Sequence, residues 1–147
     1  MEFRELTKND IPSLLELYVH LAVENKGITV EQSVKTWEDQ IENNKNIHYL
    51  GAVDNGRVVS TCYCLIIPNL TRQNRPICFI ENVVTHEDYR KQGLARKVIQ
   101  MALDIARQHN CFKAILQSGI TRPEAHKFYE SLGFKSDTKK AFDLRLE

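Results

Sequence analysis

The run from Ile77 to Gln117 constrains the fold more than any other part of the chain. Ile77 to Val84 is an apolar stretch rich in β-branched residues, and the polar turn from His86 to Gln92 carries it into Gly93. From there Leu94, Val98, Ala102 and Ile105 recur on one helical face to about His109, and Phe112 to Gln117 turns apolar again. A strand, a helix and a strand in this order pack as a right-handed crossover, so the two strands are predicted to be parallel neighbours in a buried sheet.

The flanking segments extend that sheet. Phe3 and Leu6 alternate with Arg4 and Glu5 in a short first strand, and Asn9, Asp10 and Pro12 signal a helix carried by Leu14, Leu15, Leu17, Tyr18 and Leu21 to about Glu24. Thr29 and Gln32 form a capping box for a second helix whose apolar residues, Val34, Trp37 and Ile41, make a narrow stripe suited to an edge. His48 to Val53 and Val58 to Ile67 flank Asp54-Asn55-Gly56, the signature of a hairpin, and Pro68 to Pro76 is a polar loop carrying Arg72 and Arg75. A last helix is expected from the capping box Thr121 and Glu124, with Pro123 in its first turn, to Gly133, and Phe134 to Leu146 to hold one or two closing strands. The expected architecture is α/β, one domain over residues 1–147, with a mixed central β-sheet of about six or seven strands flanked by about four helices.

Composition narrows the function. The 147 residues carry 20 Lys plus Arg against 19 Asp plus Glu, so no net charge draws the chain to nucleic acid or to a membrane surface. The longest apolar stretch, Cys62 to Ile67, is far short of the roughly 18 residues that span a bilayer, and Met1 to Glu5 lacks a signal peptide's apolar centre; the expected location is the cytoplasm. Cys62, Cys64, Cys78 and Cys111 lie in strand-like contexts with no C-x-x-C pair, which predicts free thiols and no metal site.

The chemistry concentrates where the buried strand meets the helix start. Gly93 and Ala95 are small, and unpaired N–H groups at a helix N-terminus attract anions, so a diphosphate can approach the backbone there. Arg90, Lys91 and Arg96 add positive charge. A helix that merely begins at a glycine is the alternative. Neither G-x-x-x-x-G-K-S/T nor G-x-G-x-x-G after a strand is present, which removes P-loop enzymes, kinases and dinucleotide oxidoreductases.

Arg90 to Ala95 resembles the acetyl-CoA signature of the GNAT family of N-acetyltransferases: Gln or Arg, two residues, Gly, one residue, then Gly or Ala. A second block, Ala125-His126-Lys127-Phe128-Tyr129-Glu130-Ser131-Leu132-Gly133-Phe134, is similar to that family's A-x-x-F-Y-x-x-x-G-F and lies at the expected distance behind the first. The resemblance implies a GNAT-like fold and binding of the acetyl-CoA diphosphate by Arg90, Lys91, Gln92, Gly93, Leu94, Ala95 and Arg96. It further implies that the strand before the cradle splays from its neighbour, so that Val83, Val84 and Thr85 pair with the pantetheine arm while one of their N–H groups polarises the thioester carbonyl.

Two residues are candidates for the chemistry. Arg122, Ala125 and Tyr129 share one helix face, and Tyr129 matches the tyrosine that often protonates the departing thiolate in that family; a buried tyrosine bonded to a backbone carbonyl is the competing reading. Glu81 matches the acidic residue that several members use as a base, often through water, and a carboxylate in so apolar a strand needs a wet cleft or a partner such as Arg72 or Arg75. Arg122 stands where many members carry an asparagine that holds the CoA arm, and is expected on the cofactor side, bringing charge toward a phosphate or an acidic acceptor instead; Glu87 replaces a frequent proline. His86, Asp88 and His126 are assigned no role, and His126 is expected to face solvent or make a surface contact.

The function this implies is direct transfer of the acetyl group of acetyl-CoA to a primary amine of a small molecule, or to a protein N-terminus or lysine. A non-catalytic acyl-CoA-binding sensor is the alternative. Tyr18, Trp37, residues 68–76 and the Asp143 region are expected to shape the acceptor side; the Glu81-Asn82-Val83-Val84 strand is similar to the corresponding strand of glucosamine 6-phosphate acetyltransferases, which leaves polyamines, aminoglycosides, amino sugars, amino acids and protein N-termini all open as acceptors, and family habit makes a homodimer plausible.

Overall fold

The computed structural model describes residues 1–147. Strands β1 (Glu2–Glu5), β2 (Ile47–Asp54), β3 (Arg57–Ile67), β4 (Ile77–Thr85) and β5 (Lys113–Leu116) form one sheet in chain order. The first four are antiparallel and β5 runs parallel to β4, as the strand–helix–strand pattern requires. The helices are α1 (Ile11–Tyr18), α2 (Val30–Thr36), the single turn α3 (Thr71–Asn74), α4 (Leu94–Gln108) and α5 (Pro123–Ser131).

The sheet separates two cores. On one face α4 lays Leu94, Val98, Ile99, Ala102 and Ala106 against Leu50, Val59, Ile66 and Ile80, with the free thiols of Cys62, Cys64 and Cys78 among them. Phe128, Tyr129, Leu132 and Phe134 bring α5 onto the same face. On the other face Ile11, Leu14 and Leu17 of α1 and Trp37 behind α2 cover Val53, Val58 and Val84. The entry to α1 is fixed by Asp10, which accepts from Arg4 Nη1 at 2.8 Å and Nη2 at 2.9 Å and from the Thr7 N–H at 2.8 Å. That paired guanidinium holds the Asp10 carboxyl below the usual carboxylate range.

Three expectations are corrected. The sheet has five strands, because Phe134 to Leu146 forms none: from Lys135 onward every residue is exposed and no strand pairs with the segment. The first helix ends at Tyr18 instead of near Glu24, because the Asn25 side-chain amide donates to the Tyr18 carbonyl at 2.9 Å and closes the turn. The capping box at Thr121 and Glu124 does not form: Pro123 occupies the first helical position, which makes Arg122 the cap, and its side chain makes no capping hydrogen bond. The Thr29–Gln32 box is present as expected, with the Gln32 N–H donating to Thr29 Oγ1 at 3.1 Å.

Candidate active site

The site begins with a defect in β4. Thr61 stands opposite Val84 and Tyr63 opposite Glu81, so Asn82 and Val83 together face the single residue Cys62. Asn82 takes φ 53°, a left-handed conformation that lets the chain insert one residue and that asparagine tolerates better than most. The bulge inverts the phase of the strand. Before it, Cys78 and Ile80 point to α4; after it, Val83 points to α4 and Val84 to α1. Strict alternation would have sent Asn82 and Val84 into the α4 core and left Val83 on the opposite face.

The same strand then outruns its neighbour. β4 pairs with β5 only from Ile77 to Ile80, against Lys113 to Leu116, and Glu81 to Thr85 continue with no partner on that side. On the other side they stay tied to β3, where Ser60 Oγ and Thr85 Oγ1 are 2.8 Å apart and the His86 N–H donates to the Val59 carbonyl at 2.9 Å. Val83, Val84 and Thr85 therefore keep a free edge on the side away from β3, with which an extended ligand can pair as an added strand.

The free edge leads to the start of α4. Gly93 caps the helix at φ 77°, Lys91 precedes it at φ 61°, and no side chain caps the free N–H groups. A Cβ built on Gly93 would meet no protein atom within 4 Å, so the glycine faces open space and a ligand can approach the backbone there. Uncapped N–H groups beside such an opening are the kind of place where an anion binds. Arg90 Nε donates to the Thr85 carbonyl at 3.2 Å and Gln92 Nε2 to the Asp88 carbonyl at 3.3 Å, which braces the turn. Tyr89 anchors it to the hairpin through Asp54 Oδ2 at 2.9 Å. Arg96 lies over the Phe128 ring and donates to Ser131 Oγ at 2.8 Å, Leu94 is buried in the core, and Ala95 is half-buried, so these three shape the cradle wall.

Tyr129 packs against the α4 face of the sheet, near enough to Glu81 and Cys62 for their charges to act on it. Its ring meets Phe128 and Phe134, with centroids 5.3 and 6.2 Å away, and its hydroxyl bonds to no backbone carbonyl. Burial pushes its pKa up; the Arg122 guanidinium opposes that shift, and Cys62 and the Glu81 carboxylate add to it. A phenol that stays protonated and keeps its hydroxyl free can give a proton to a leaving group. Arg122 packs its side chain 3.6 Å from where a Gly119 Cβ would stand, at the N-terminus of α5. His126, partly exposed, makes a contact near the surface: it bonds through Nε2 to the Gly119 carbonyl at 2.7 Å, pinning the loop before α5.

Glu81 is not an ion-pair partner of either candidate arginine. Arg72 lies over the Phe112 ring at 5.5 Å, and Arg75 donates to the carbonyls of Asn110 at 3.1 Å and Cys111 at 3.2 Å. Glu81 instead continues a row across three strands, Tyr49 opposite Tyr63 and Tyr63 opposite Glu81, with the two tyrosine rings stacked at 5.0 Å and 22°. Trp37 closes the far end, 5.0 Å from Tyr49. Burial raises the pKa of Tyr63, with the Glu81 charge a second cause, and pushes Tyr49 up to about 12. Tyr18 on α1 has a buried hydroxyl that reaches toward the Asn82 amide without an aligned hydrogen bond, and burial raises its pKa as well. Tyr49 and Tyr63 were not singled out by sequence. Their alternation within a hairpin was the available signal.

The Acetyltransferase (GNAT) family profile matches residues 11–134. The chain belongs to this family. Among GNAT relatives, a glucosamine 6-phosphate N-acetyltransferase from Trypanosoma brucei brucei is 30% identical over 136 residues, covering 92% of this chain and 90% of that protein. A solved structure described as a "putative acetyltransferase" from Agrobacterium tumefaciens str. C58 superposes with a TM-score of 0.92 at 37% identity over 99% of both chains. A Trypanosoma brucei acetyltransferase superposes at 0.84 with 31% identity, again over 99% of both. The five-stranded mixed sheet is thus a GNAT sheet, and no helix of this member is long and apolar enough to cross a membrane.

Proposed function

We propose that the protein transfers the acetyl group of acetyl-CoA to a primary amine of a small molecule by direct attack in a ternary complex. The observation that carries this reading is the unpaired Glu81–Thr85 stretch of β4, which the chain follows into the uncapped N-terminus of α4 at Gly93. Acetyl-CoA supplies the activated acyl group.

The chain's own residues divide the remaining work. N–H groups from Lys91 to Arg96 hold the diphosphate, and the free edge of Val83, Val84 and Thr85 holds the pantetheine arm in register. Glu81, through a water molecule, takes the proton from the ammonium and so frees the nitrogen lone pair that attacks the carbonyl carbon. An N–H near Val84 stabilises the oxyanion. Tyr129 gives its proton to the sulfur as the C–S bond breaks, and the second proton, shed by the nitrogen as the amide forms, passes through solvent to restore the phenol. Because a T. brucei relative is a glucosamine 6-phosphate N-acetyltransferase, an amino-sugar phosphate is the first acceptor to screen, followed by aminoglycosides, polyamines and peptide amines.

The test is the melting midpoint with acetyl-CoA, CoA or ATP, for the native chain and for Gly93→Asp, followed by an amine screen that reads thiol release. A rise specific to the CoA compounds and absent in Gly93→Asp, with thiol release on one amine class, is the expected result. No rise at millimolar acetyl-CoA would overturn the transferase reading, and a rise without turnover of any amine would make the protein a sensor.

A further inference from the structure

Two adjoining rows of one sheet face hold a single formal charge, that of Glu81. In the first, Tyr49, Tyr63 and Glu81 stand opposite one another on β2, β3 and β4; in the second stand Ile47, Leu65, Phe79 and Ile115. Neither row contains a lysine or arginine, and every side chain in them keeps some exposure, Ile115 the most at 37%. Lys113, in the row beyond, and Arg72 both lie over the Phe112 ring, 5.5 Å from its centroid. Within its own surroundings the Glu81 carboxylate has no cation to meet.

The Tyr63 ring has one face to spare. Its centroid lies 5.0 Å from that of Tyr49 with the planes 22° apart, and that separation is close to the roughly 4.8 Å between neighbouring strands. The two rings therefore stack along the direction from β2 to β3. The face of Tyr63 turned from Tyr49 looks on toward β4, where Glu81 is directly opposite. Trp37 lies 5.0 Å beyond Tyr49 and closes the other end of the stack. A ring face carries the negative side of the aromatic quadrupole, so Tyr63 and Glu81 present negative potential to one gap. The two already act on each other, because the Glu81 charge is one cause of the raised Tyr63 pKa. A cation in the gap would satisfy both.

We propose that this gap receives the acceptor as its ammonium ion, with Tyr63 a specificity-determining residue, and that the acceptor class is a primary amine on an aryl or alkyl skeleton. The ammonium meets the free Tyr63 face and the Glu81 carboxylate, and the skeleton lies along Leu65, Phe79 and Ile115 in the adjoining row. A sugar phosphate would bring a dianion to rows whose one formal charge is negative. The arrangement also fits the order of events, since the amine arrives charged and a charged amine is what Glu81 has to deprotonate. That the bound amine is an acceptor rests on the proposed function; the affinity of the gap for an apolar ammonium ion does not.

The closing experiment uses benzyltrimethylammonium, whose quaternary nitrogen is charged at every pH and cannot be acetylated. Followed by ligand NMR with CoA present, it should bind the native chain about tenfold more tightly than its uncharged isostere with carbon in place of nitrogen. Tetramethylammonium, which lacks the skeleton, and glucosamine 6-phosphate should each bind about tenfold more weakly than the probe. Tyr63→Phe keeps the ring and should bind the probe within about twofold of native, whereas Tyr63→Leu and Glu81→Gln should each lose about tenfold with an unchanged circular dichroism spectrum. On an amine that is turned over, Tyr63→Leu should raise KM by about tenfold and leave kcat within about twofold. Equal binding of charged and uncharged probes, tighter binding of the sugar phosphate, or no binding because a second copy of the chain covers the face would each overturn the proposal, and these comparisons need only the native chain. Probe binding requires no turnover. A chain that binds the probe and acetylates nothing ends the transferase reading and keeps the ammonium gap, while one that acetylates sugar phosphates in preference to apolar amines does the reverse.

Discussion

Tyr63 and Glu81 stand directly opposite one another on β3 and β4, one residue before the strand bulges, and Tyr49 stacks on the other side of Tyr63. The carboxylate is thereby held at the end of an aromatic row instead of in an ion pair. Arg72 and Arg75, the cations near enough in sequence to neutralise it, are committed to Phe112 and to the carbonyls of Asn110 and Cys111.

Glu81→Gln should therefore lower kcat/KM by about 100-fold, the usual scale for loss of a general base. The deficit should shrink as pH rises toward the acceptor's own pKa, since a free amine no longer needs the base. It should also move the Tyr63 titration down, because the Glu81 charge is one of the two causes that raise it. Steady-state rates against pH and the ultraviolet absorbance of the phenolate check these outcomes.

Tyr129→Phe should leave the melting midpoint almost unchanged, within about 0.5 kcal/mol, because the hydroxyl has no protein partner to lose. The acetyl-CoA-induced rise in midpoint should persist while kcat falls by about 100-fold or more. The sign of the pH effect follows from the raised pKa. The folded state disfavours the phenolate, so the contribution to stability is intact below the ordinary value of about 10 and is lost as pH rises above it. The substitution should flatten that alkaline loss in a melting series.

Gly93 separates strain from occlusion. Its positive φ costs any other residue about 1 kcal/mol, and no neighbour would clash with a methyl group. Gly93→Ala should lower stability by about that amount and weaken acetyl-CoA binding modestly, whereas Gly93→Asp should abolish binding by placing a negative charge against the diphosphate. Isothermal titration with CoA distinguishes the two.

Asn82 tests the bulge. Asn82→Gly keeps the left-handed conformation and should retain most activity, while Asn82→Val is strained there by about 1–2 kcal/mol and should pull the strand toward regular alternation. That rearrangement would shift Glu81 and Val83 together, so kcat should fall more than stability. Parallel measurement of melting and turnover for the two variants decides it.

How much of this was legible depends on how local each signal is. β4, α4 and β5 were readable because apolar periodicity, a glycine at the helix start and a parallel crossover each follow from a few neighbouring residues. The hairpin turn was equally readable, but its register was not. Counting from Asp54 and Arg57 puts Tyr49 opposite Cys62, and the irregularity between Ala52 and Val53 moves it to Tyr63. An irregularity of one residue exchanges the two faces of a strand and has no local sequence signature. For the same reason Glu81 could be proposed as a base without the aromatic row that holds it.

The sequence by itself determined the order of elements, the strand–helix–strand unit and the helix start at Gly93, and it nominated Glu81 and Tyr129, because each signal is written within a short window. Only the tertiary structure decided where β4 parts from β5, which face each side of the Asn82 bulge presents, and what the arginines of the 68–76 loop grip. It also decided that the C-terminal segment does not close the sheet of its own chain. These are outcomes of long-range pairing, in which competing registers and partners differ by small free energies summed over many contacts, and no stretch of the chain encodes that sum alone.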